Sequence, residues 1–565
     1  MDKCRKEIFL TASEDIIATP QRVRRQSGPM FLRVVAGVVG AICLLPMLAV
    51  AFAALTGGTD TVLHLLDTVL WKYVSNTFVL VLLVSIGSFA VGVGAAWLVT
   101  MTRFPGVRFF EIALVLPLAF PAYVLAYAYT HVLDHPGVVQ TSLRALMGWG
   151  PRDYWFPEIR SLGGAAAMLT LVLYPYVYLL ARASFLQQSG STFLAARALG
   201  SNPWAAFFKI SLPLARPSIA AGVLLAVMET IADFGTVSYF SVPTFATGIY
   251  TSWFSLGDRA GAAQLALCLL SFALLLAMLE RIQRGRAKYY NTSRGQKHVP
   301  PIVLSGRRAA TAVILCGVPV AFGAVLPIIV LVSMGLESEQ NLLSSRYLQF
   351  MQNSLTLGAI AAVLTVSAAV AIGFLQRLSP GGFSSTAAYV ARLGYAVPGG
   401  VIAVGLIVPF ATFDNALDLF MEARFGISTG LLITGSIWLL IFAYMVRFLA
   451  AALGAYEGGQ ALVHANMDAA SRSLGRGPLG TLRRVHLPIL TPSLLTALLI
   501  VFVDVMKELP ATLIMRPFNF DTLAVQAYRL ASDERLAGAA VPSLVIVAIG
   551  LLPVILICRQ VGRQR

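Results

Sequence analysis

The stretch Ala195-Ala196-Arg197-Ala198-Leu199-Gly200, followed by Leu212-Pro213, recurs 275 residues later in the same chain. The second copy reads Ala470-Ser471-Arg472-Ser473-Leu474-Gly475, followed by Leu487-Pro488. Apolar chains match each other by chance in Leu and Val, but they rarely match in Gly, Pro and Arg at fixed spacing. Self-similarity of this kind indicates a duplicated architecture.

Other positions support two equivalent halves. An offset of 277 pairs Asn76-Thr77 with Asn353-Ser354, and Pro121 with Pro398. Between the halves lies a polar stretch, 281–308, that carries eight basic residues. We therefore expect a first half at 1–290 and a second half at 300–565, with the same topology in both.

The composition predicts an all-α integral membrane protein. Of the 565 residues, 58% are hydrophobic and only 12% are charged, whereas a soluble domain carries about 25% charged residues. A transmembrane helix needs about 20 mostly apolar residues. Twelve runs meet this requirement, six in each half, near 31–55, 76–101, 110–131, 162–181, 212–240, 262–280, 309–334, 353–376, 390–412, 429–448, 488–512 and 538–558.

The formal net charge of +16 follows the predicted topology. With twelve spans both termini lie on one side, and the loops of that side carry a net charge of +23. The loops of the far side carry −4 and the spans −3. Loops rich in Lys and Arg stay in the cytoplasm, so both termini are expected there. The excess of positive charge therefore indicates topology and not nucleic-acid binding.

The repeated stretch lies between spans four and five of each half, on the cytoplasmic side. The segment 193–199 predicts a short helix, and Gly200 is suited to end it because glycine tolerates the left-handed conformation. Pro213 suits the first turn of the following span. Small side chains on such a helix let another protein approach closely. The loop therefore predicts a docking element, present twice and suited to two copies of a partner.

This spacing resembles the loop signature of ABC-importer permeases: Glu-Ala-Ala, three residues, Gly, nine residues, Ile-x-Leu-Pro. Both copies lack the leading Glu, which is Leu194 in one and Ala469 in the other, with Asp468 one position earlier. The resemblance implies the type I importer fold and coupling loops near 193–209 and 468–484 that contact an ATPase. The matching positions are Ala195, Ala196, Arg197, Gly200, Leu212, Pro213, Ala470, Ser471, Arg472, Gly475, Leu487 and Pro488.

Two further blocks, 228–237 and 504–512, resemble the fused ferric-iron permeases, as do 516–520 and 531–534. The family resemblance implies two copies of an ATPase subunit, a periplasmic solute-binding protein and a place in the bacterial inner membrane. Within the importers, thiamine, polyamine or sulfate remains an alternative cargo to ferric iron.

The chain is expected to hydrolyse no ATP itself. A P-loop needs Gly-Lys followed by Ser or Thr, and none of the seven lysines is followed by either residue. We therefore expect no bound cofactor, with ATP and Mg used by the partner ATPase.

We single out five charged residues within predicted spans, where a charge costs at least about 2.5–3.5 kcal/mol and marks a candidate functional site. Glu229 and Asp233 match Asp504 and Glu508 at the offset of 275, and Lys507 joins the second pair. Each pair has i, i+4 spacing, which places both carboxylates on one helical face. Ferric iron is a hard cation that prefers oxygen ligands.

These carboxylates either line the path and contact the ion transiently or pair with Lys507 and nearby Arg residues to stabilise the interface. A different class of protein, an ion-gradient transporter, would use them to carry protons. Pro117, Pro121 and Pro398, the last followed by Gly399-Gly400, predict kinks in equivalent spans.

Overall fold

The computed structural model describes residues 29–188, 202–286, 302–340 and 344–563. We call 29–286 the N-terminal segment and 302–563 the C-terminal segment. The α-helices of the N-terminal segment are α1 Met30–Thr56, α2 Thr59–Thr68, α3 Leu70–Met101, α4 Val107–Ala113, α5 Ala122–Leu133, α6 Val138–Met147, α7 Leu162–Gln187, α8 Pro203–Ala206, α9 Leu212–Ala232, α10 Gly235–Tyr239, α11 Phe245–Tyr250 and α12 Arg259–Arg286.

The C-terminal segment continues the series in the same manner. Its α-helices are α13 Gly306–Val320, α14 Leu326–Leu336, α15 Ser345–Leu378, α16 Phe383–Leu393, α17 Gly399–Phe425, α18 Ile437–Gln460, α19 Ala465–Ser473, α20 Pro478–Thr481, α21 Leu487–Met506, α22 Pro510–Met515, α23 Leu523–Ser532 and α24 Leu536–Arg563.

Short segments of other geometry join these helices. Two are 3-10 turns, Leu116–Ala119 and Gly394–Ala396, and four are π-helical, Phe207–Ser211, Thr251–Ser255, Ala321–Val325 and Leu482–His486. The strands β1 Thr102–Arg103 and β2 Ile302–Val303 form a two-residue parallel pair.

The helices confirm an all-α membrane protein with about twelve spans. Among the described residues, eleven helices are long and apolar enough to cross a membrane, and the bent pair 107–119 and 122–147 makes a possible twelfth. Helices suit this environment because a lipid core offers no water to the backbone, so each N–H and C=O group must be satisfied within the segment.

The predicted proline kinks are confirmed. The bent pair turns by 94° at Phe120-Pro121, where both residues have extended backbone. The C-terminal segment breaks in the same way at Val397-Pro398, between the 3-10 turn and α17. Proline lacks a backbone N–H and disfavours helical geometry in the residue before it, which accounts for both breaks.

Two spans expected to be continuous are broken. The span 212–240 divides into α9 and α10 at Asp233, and the span 488–512 divides into α21 and α22 at 507–509. The expectation that Glu229 and Asp233, or Asp504 and Glu508, share one face of a continuous helix is therefore wrong. The breaks occur where a carboxylate side chain replaces the helical partner of backbone N–H groups.

The packed cores do not follow the order of the chain. One core joins α3, α5 and α7 to α13, α14 and α24 of the C-terminal segment. The other joins α15, α17, α18 and α21 to α1 and α12 of the N-terminal segment. The outer helices of each segment therefore pack against the middle helices of the other, and the two segments interlock.

The contact of α1 with α17 is close enough to require glycine. A Cβ atom on Gly405 would lie 2.2 Å from the backbone oxygen of Pro46, and other Pro46 backbone atoms lie at 2.7 Å. Backbone atoms cannot move aside as a flexible side chain can, so only glycine fits without shifting one helix.

We therefore expect Gly405→Ala to destabilise the purified protein by an amount on the order of 1–3 kcal/mol, the usual cost of overpacking. The measurement is the temperature at which the detergent-solubilised chain loses its monodisperse peak. Gly454→Ala is the matched control, because a Cβ at Gly454 meets nothing within 4 Å. Equal melting temperatures of the two variants would contradict the requirement for glycine at position 405.

Candidate functional site

A cavity of about 130 Å³ lies where the two segments meet. All five charged residues singled out in the sequence line it, so the fold brings them to one place. Its other polar lining includes Tyr123, Tyr176, Tyr395 and Arg447, and its apolar lining includes Leu118, Val172 and Phe448.

Two of the four carboxylates stabilise the helix breaks. Asp233 accepts hydrogen bonds from the backbone N–H of Thr236 at 3.0 Å and of Val237 at 3.3 Å. Glu508 accepts from the backbone N–H of Ala511 at 2.9 Å and of Thr512 at 3.0 Å. The first turn of a helix has N–H groups without intrahelical partners, and a carboxylate there satisfies them. Asp233 and Glu508 thus cap the first turns of α10 and α22.

The other two carboxylates have no such bonds to helix starts. Glu229 accepts a hydrogen bond from the hydroxyl of Tyr395 at 3.1 Å, from the other segment of the chain. Asp504 forms an ion pair with Lys507, with 2.9 Å between the carboxylate oxygen and Nζ. The side chains of Asp504 and Lys507 keep about a quarter of their surface exposed. Glu229 and Asp504 are therefore the cavity carboxylates that cap no helix.

Arg447 is a cavity residue that was not among the five charges singled out in the sequence, although it lies within the predicted span 429–448. It lies inside α18, and its Nη1 is 3.8 Å from a carboxylate oxygen of Glu508. Gly399 makes room for this pair, since a Cβ there would lie 2.5 Å from Nη1. The signal was present in the sequence, because Arg447 is the sole charge between Ile437 and Tyr456.

The charged lining is negative overall. Four carboxylates stand against the cations Lys507 and Arg447, which leaves a formal excess of two negative charges. Among the described residues, no group of three or more His, Cys, Asp or Glu side chains is arranged to hold a metal ion. The cavity can attract a cation without enclosing it in a complete ligand set.

Aromatic contacts connect the cavity to the side opposite the repeated loops. The ring of Tyr123 lies 5.7 Å from that of Tyr127, which lies 4.7 Å from that of Tyr239. The guanidinium of Arg160 lies 5.2 Å above the Tyr239 ring. All three tyrosines are buried, and their column of rings extends from the cavity residue Tyr123 to Arg160.

Arg160 also joins the two segments of the chain. It donates two hydrogen bonds to Glu534, at 2.6 and 2.9 Å, and one to Asp134 at 3.1 Å. The hydrogen bonds from Arg160 hold the pKa of Glu534 below its usual value. Glu534 has a positive φ of 58°, a conformation uncommon outside glycine.

The structure describes the second copy of the repeated loop fully and the first copy only in part. Ala195, Ala196, Arg197 and Gly200 lie outside the described residues, and Leu212 and Pro213 begin α9. In the second copy Ala470, Ser471 and Arg472 lie on α19, and Leu487 and Pro488 begin α21. Gly475 follows α19 with φ of 74°. The N–H of Gly475 donates to the carbonyl of Arg472, and the N–H of Arg476 donates to the carbonyl of Ser471. These two bonds are typical of a helix end that is terminated by glycine.

Comparison with known proteins gives several related permeases, although no protein-family model matches the chain. The Fe(3+)-transport system permease protein FbpB 2 of Haemophilus influenzae is 26% identical over 547 residues, covering 94% of this chain and 98% of that protein. The probable ABC transporter permease protein y4fN of Sinorhizobium fredii is 25% identical over 585 residues, covering 94% and 96%. The molybdenum transport system permease protein ModB of Escherichia coli is 32% identical over 212 residues, covering 35% of this chain and 87% of ModB.

The capping role of two carboxylates leads to a prediction about stability. Asp233→Ala and Glu508→Ala should each lower the melting temperature of the solubilised protein, since loss of a cap costs about 0.5–2 kcal/mol. Glu229→Gln is the control, because its amide oxygen can still accept the hydrogen bond from Tyr395. If all three variants melt with the wild type, the carboxylates do not stabilise the helix breaks.

Proposed function

The chain belongs to the permeases of ABC transport systems, and on this basis we propose that it forms the membrane path of a ferric-iron importer. As a permease it is a multi-pass membrane protein and not itself an enzyme. The Fe(3+)-transport permease of Haemophilus influenzae matches 94% of this chain and 98% of its own length. This agreement over nearly the whole length of both proteins supports the assignment.

The observation that carries the choice of cargo is the charge of the cavity. Its formal excess of two negative charges favours a cation and disfavours sulfate. Ferric iron is a hard ion that prefers oxygen ligands, and the cavity presents carboxylate and phenol oxygens. Glu229 and Asp504 contact the ion as it passes, because the helix starts do not occupy them. Lys507 and Arg447 keep the site too weak to retain the ion.

Energy comes from partner subunits. Two copies of an ATPase bind the loops near 193–209 and 468–484 and use ATP and Mg, while this chain binds no cofactor. Closure of the ATPase pair opens the cavity outward, a periplasmic binding protein releases its solute into it, and hydrolysis restores the inward-facing state. The exposed surface of the second loop supports this role, since Met467 of α19 is 42% exposed and Leu474, which directly follows α19, is 74% exposed.

The chain consists of two equivalent halves, 1–290 and 300–565, in the bacterial inner membrane with both termini in the cytoplasm. Matching hydrogen bonds support the halves: Asn76 donates to the carbonyl of Pro243 at 2.9 Å, and Asn353 donates to that of Asp521 at 3.0 Å. The basic loops on the side of the termini support the orientation.

This function predicts the effect of neutralising Glu229 and Asp504, the two cavity carboxylates that cap no helix. Glu229→Gln combined with Asp504→Asn should lower uptake of radioactive ferric iron at least about tenfold, equivalent to about 1.4 kcal/mol in the barrier. The reason is the loss of both negative charges that attract the ion. Uptake is measured in cells that lack other ferric importers, with the amount of permease in the membrane determined in parallel.

Glu422→Gln is the matched control, since Glu422 is exposed at the end of α17, away from the cavity. It should leave uptake unchanged. Full uptake by the double variant at equal abundance would remove Glu229 and Asp504 from the path.

A further inference from the structure

Helix α19 is attached to the rest of the protein along one narrow stripe. Of its side chains only Ser471 is buried, and Asp468, one turn earlier, is partly buried. The remaining side chains of α19 are exposed, including Met467 at 42%. A helix with so little apolar contact depends on polar bonds for its position.

The carboxylate of Asp468 bonds two residues that lie outside α19. One carboxylate oxygen accepts from Nε of Arg377 at 2.8 Å, and the other lies 2.7 Å from Nε2 of His486. Arg377 lies at the end of α15, and His486 immediately precedes α21. One side chain therefore connects α19 to two transmembrane helices.

Both partners of Asp468 are held firmly. Arg377 also donates to the carbonyl of Val463 at 2.7 Å, which fixes the chain entering α19. The side chain of His486 is fully buried, with its ring edge against Phe374 of α15 at 5.1 Å. Partial burial raises the pKa of Asp468, but the hydrogen bonds from His486 and Arg377 outweigh this effect and lower it. Asp468 is therefore ionised at neutral pH.

The second polar contact of α19 reaches the start of the following span. The hydroxyl of Ser471 lies 2.9 Å from that of Thr481, on α20. Helix α20, the π-helical turn Leu482–His486 and α21 form one continuous span, Pro478–Met506, so this bond also connects α19 to that span. It does not reach α15. Among the described residues, Asp468 is thus the side chain of α19 that bonds both α15 and the span of α21.

Helix α21 leads from this connection to the cavity. It begins next to His486 and ends at Met506, beside Lys507 and Glu508. Twenty residues of α-helix span about 30 Å, so a displacement at one end of a rigid helix moves the other end. Helices α15 and α21 also pack against α18, which carries Arg447.

We propose that Asp468 is the positioning residue through which movement of α19 reaches α15 and α21. The inference rests on the proposed function, in which an ATPase moves α19. The acidic group of this loop therefore faces the membrane helices, whereas Ala469 occupies the position of the family's Glu. The role of Asp468 is to couple ATP hydrolysis to transport, not to hold the ATPase.

The test uses the complete complex of permease, ATPase and binding protein in proteoliposomes. Asp468→Asn keeps the size of the side chain and removes its charge. We expect this variant to co-purify with the ATPase and to hydrolyse ATP, while ferric iron transported per ATP falls at least about tenfold. Asp468→Glu should restore most of the transport, because it restores the charge. Glu422→Gln, which removes an exposed carboxylate at the end of α17, is the matched control and should keep the wild-type ratio.

Each other outcome overturns the inference. Wild-type transport per ATP in Asp468→Asn would show that the charge does not couple the two processes. Loss of the ATPase from Asp468→Asn, with transport per ATP unchanged in the complexes that remain, would show that Asp468 serves docking instead. A wild-type permease that binds no ATPase would overturn the proposed function and this inference with it.

Discussion

The fold depends on two carboxylates that each cap the first turn of a helix inside the membrane domain. Asp233 and Glu508 satisfy backbone N–H groups at the breaks before α10 and α22. Without them the N–H groups of these first turns would lose their partners, at a cost of about 0.5–2 kcal/mol for each break. Because the breaks are stabilised, two transmembrane segments can turn aside at the same depth and leave room for a cavity. Glu229 and Asp504 then line that cavity, one turn before each break.

Much of the fold could be predicted from the sequence because its strongest signals are local. Apolar runs predict the spans, and Pro121 and Pro398 predict the bends, since proline acts on its own backbone and on the residue before it. The helix breaks at Asp233 and Glu508 could not be predicted in this way. The apolar run continues through them, and the carboxylate that satisfies the backbone is visible only in three dimensions. Arg447 was missed because it lies next to the end of its predicted span, 429–448, where a charge suggests the boundary of a span and not its interior.

The interlocked packing was also beyond prediction from a duplicated sequence, since equivalent helices offer similar apolar faces. Two ion pairs distinguish the equivalent sites. Glu111 of α4 pairs with Arg182 of α7, and Arg392 of α16 pairs with Glu457 of α18. The charges are reversed between the two segments, so α4 paired with α18 would bring two carboxylates together. Like charges in such a contact are unfavourable, which favours packing of α4 and α16 each within its own segment.

The account joins a negative cavity, two capped helix breaks and a loop helix tied to the spans by Asp468. Its central claim is that the cavity serves a cation, and the direct measurement is the cargo of the wild-type complex. Proteoliposomes with permease, ATPase and binding protein are supplied with radioactive ferric iron or sulfate in separate experiments. The account predicts ATP-dependent accumulation of ferric iron and none of sulfate. Accumulation of sulfate without ferric iron would contradict it.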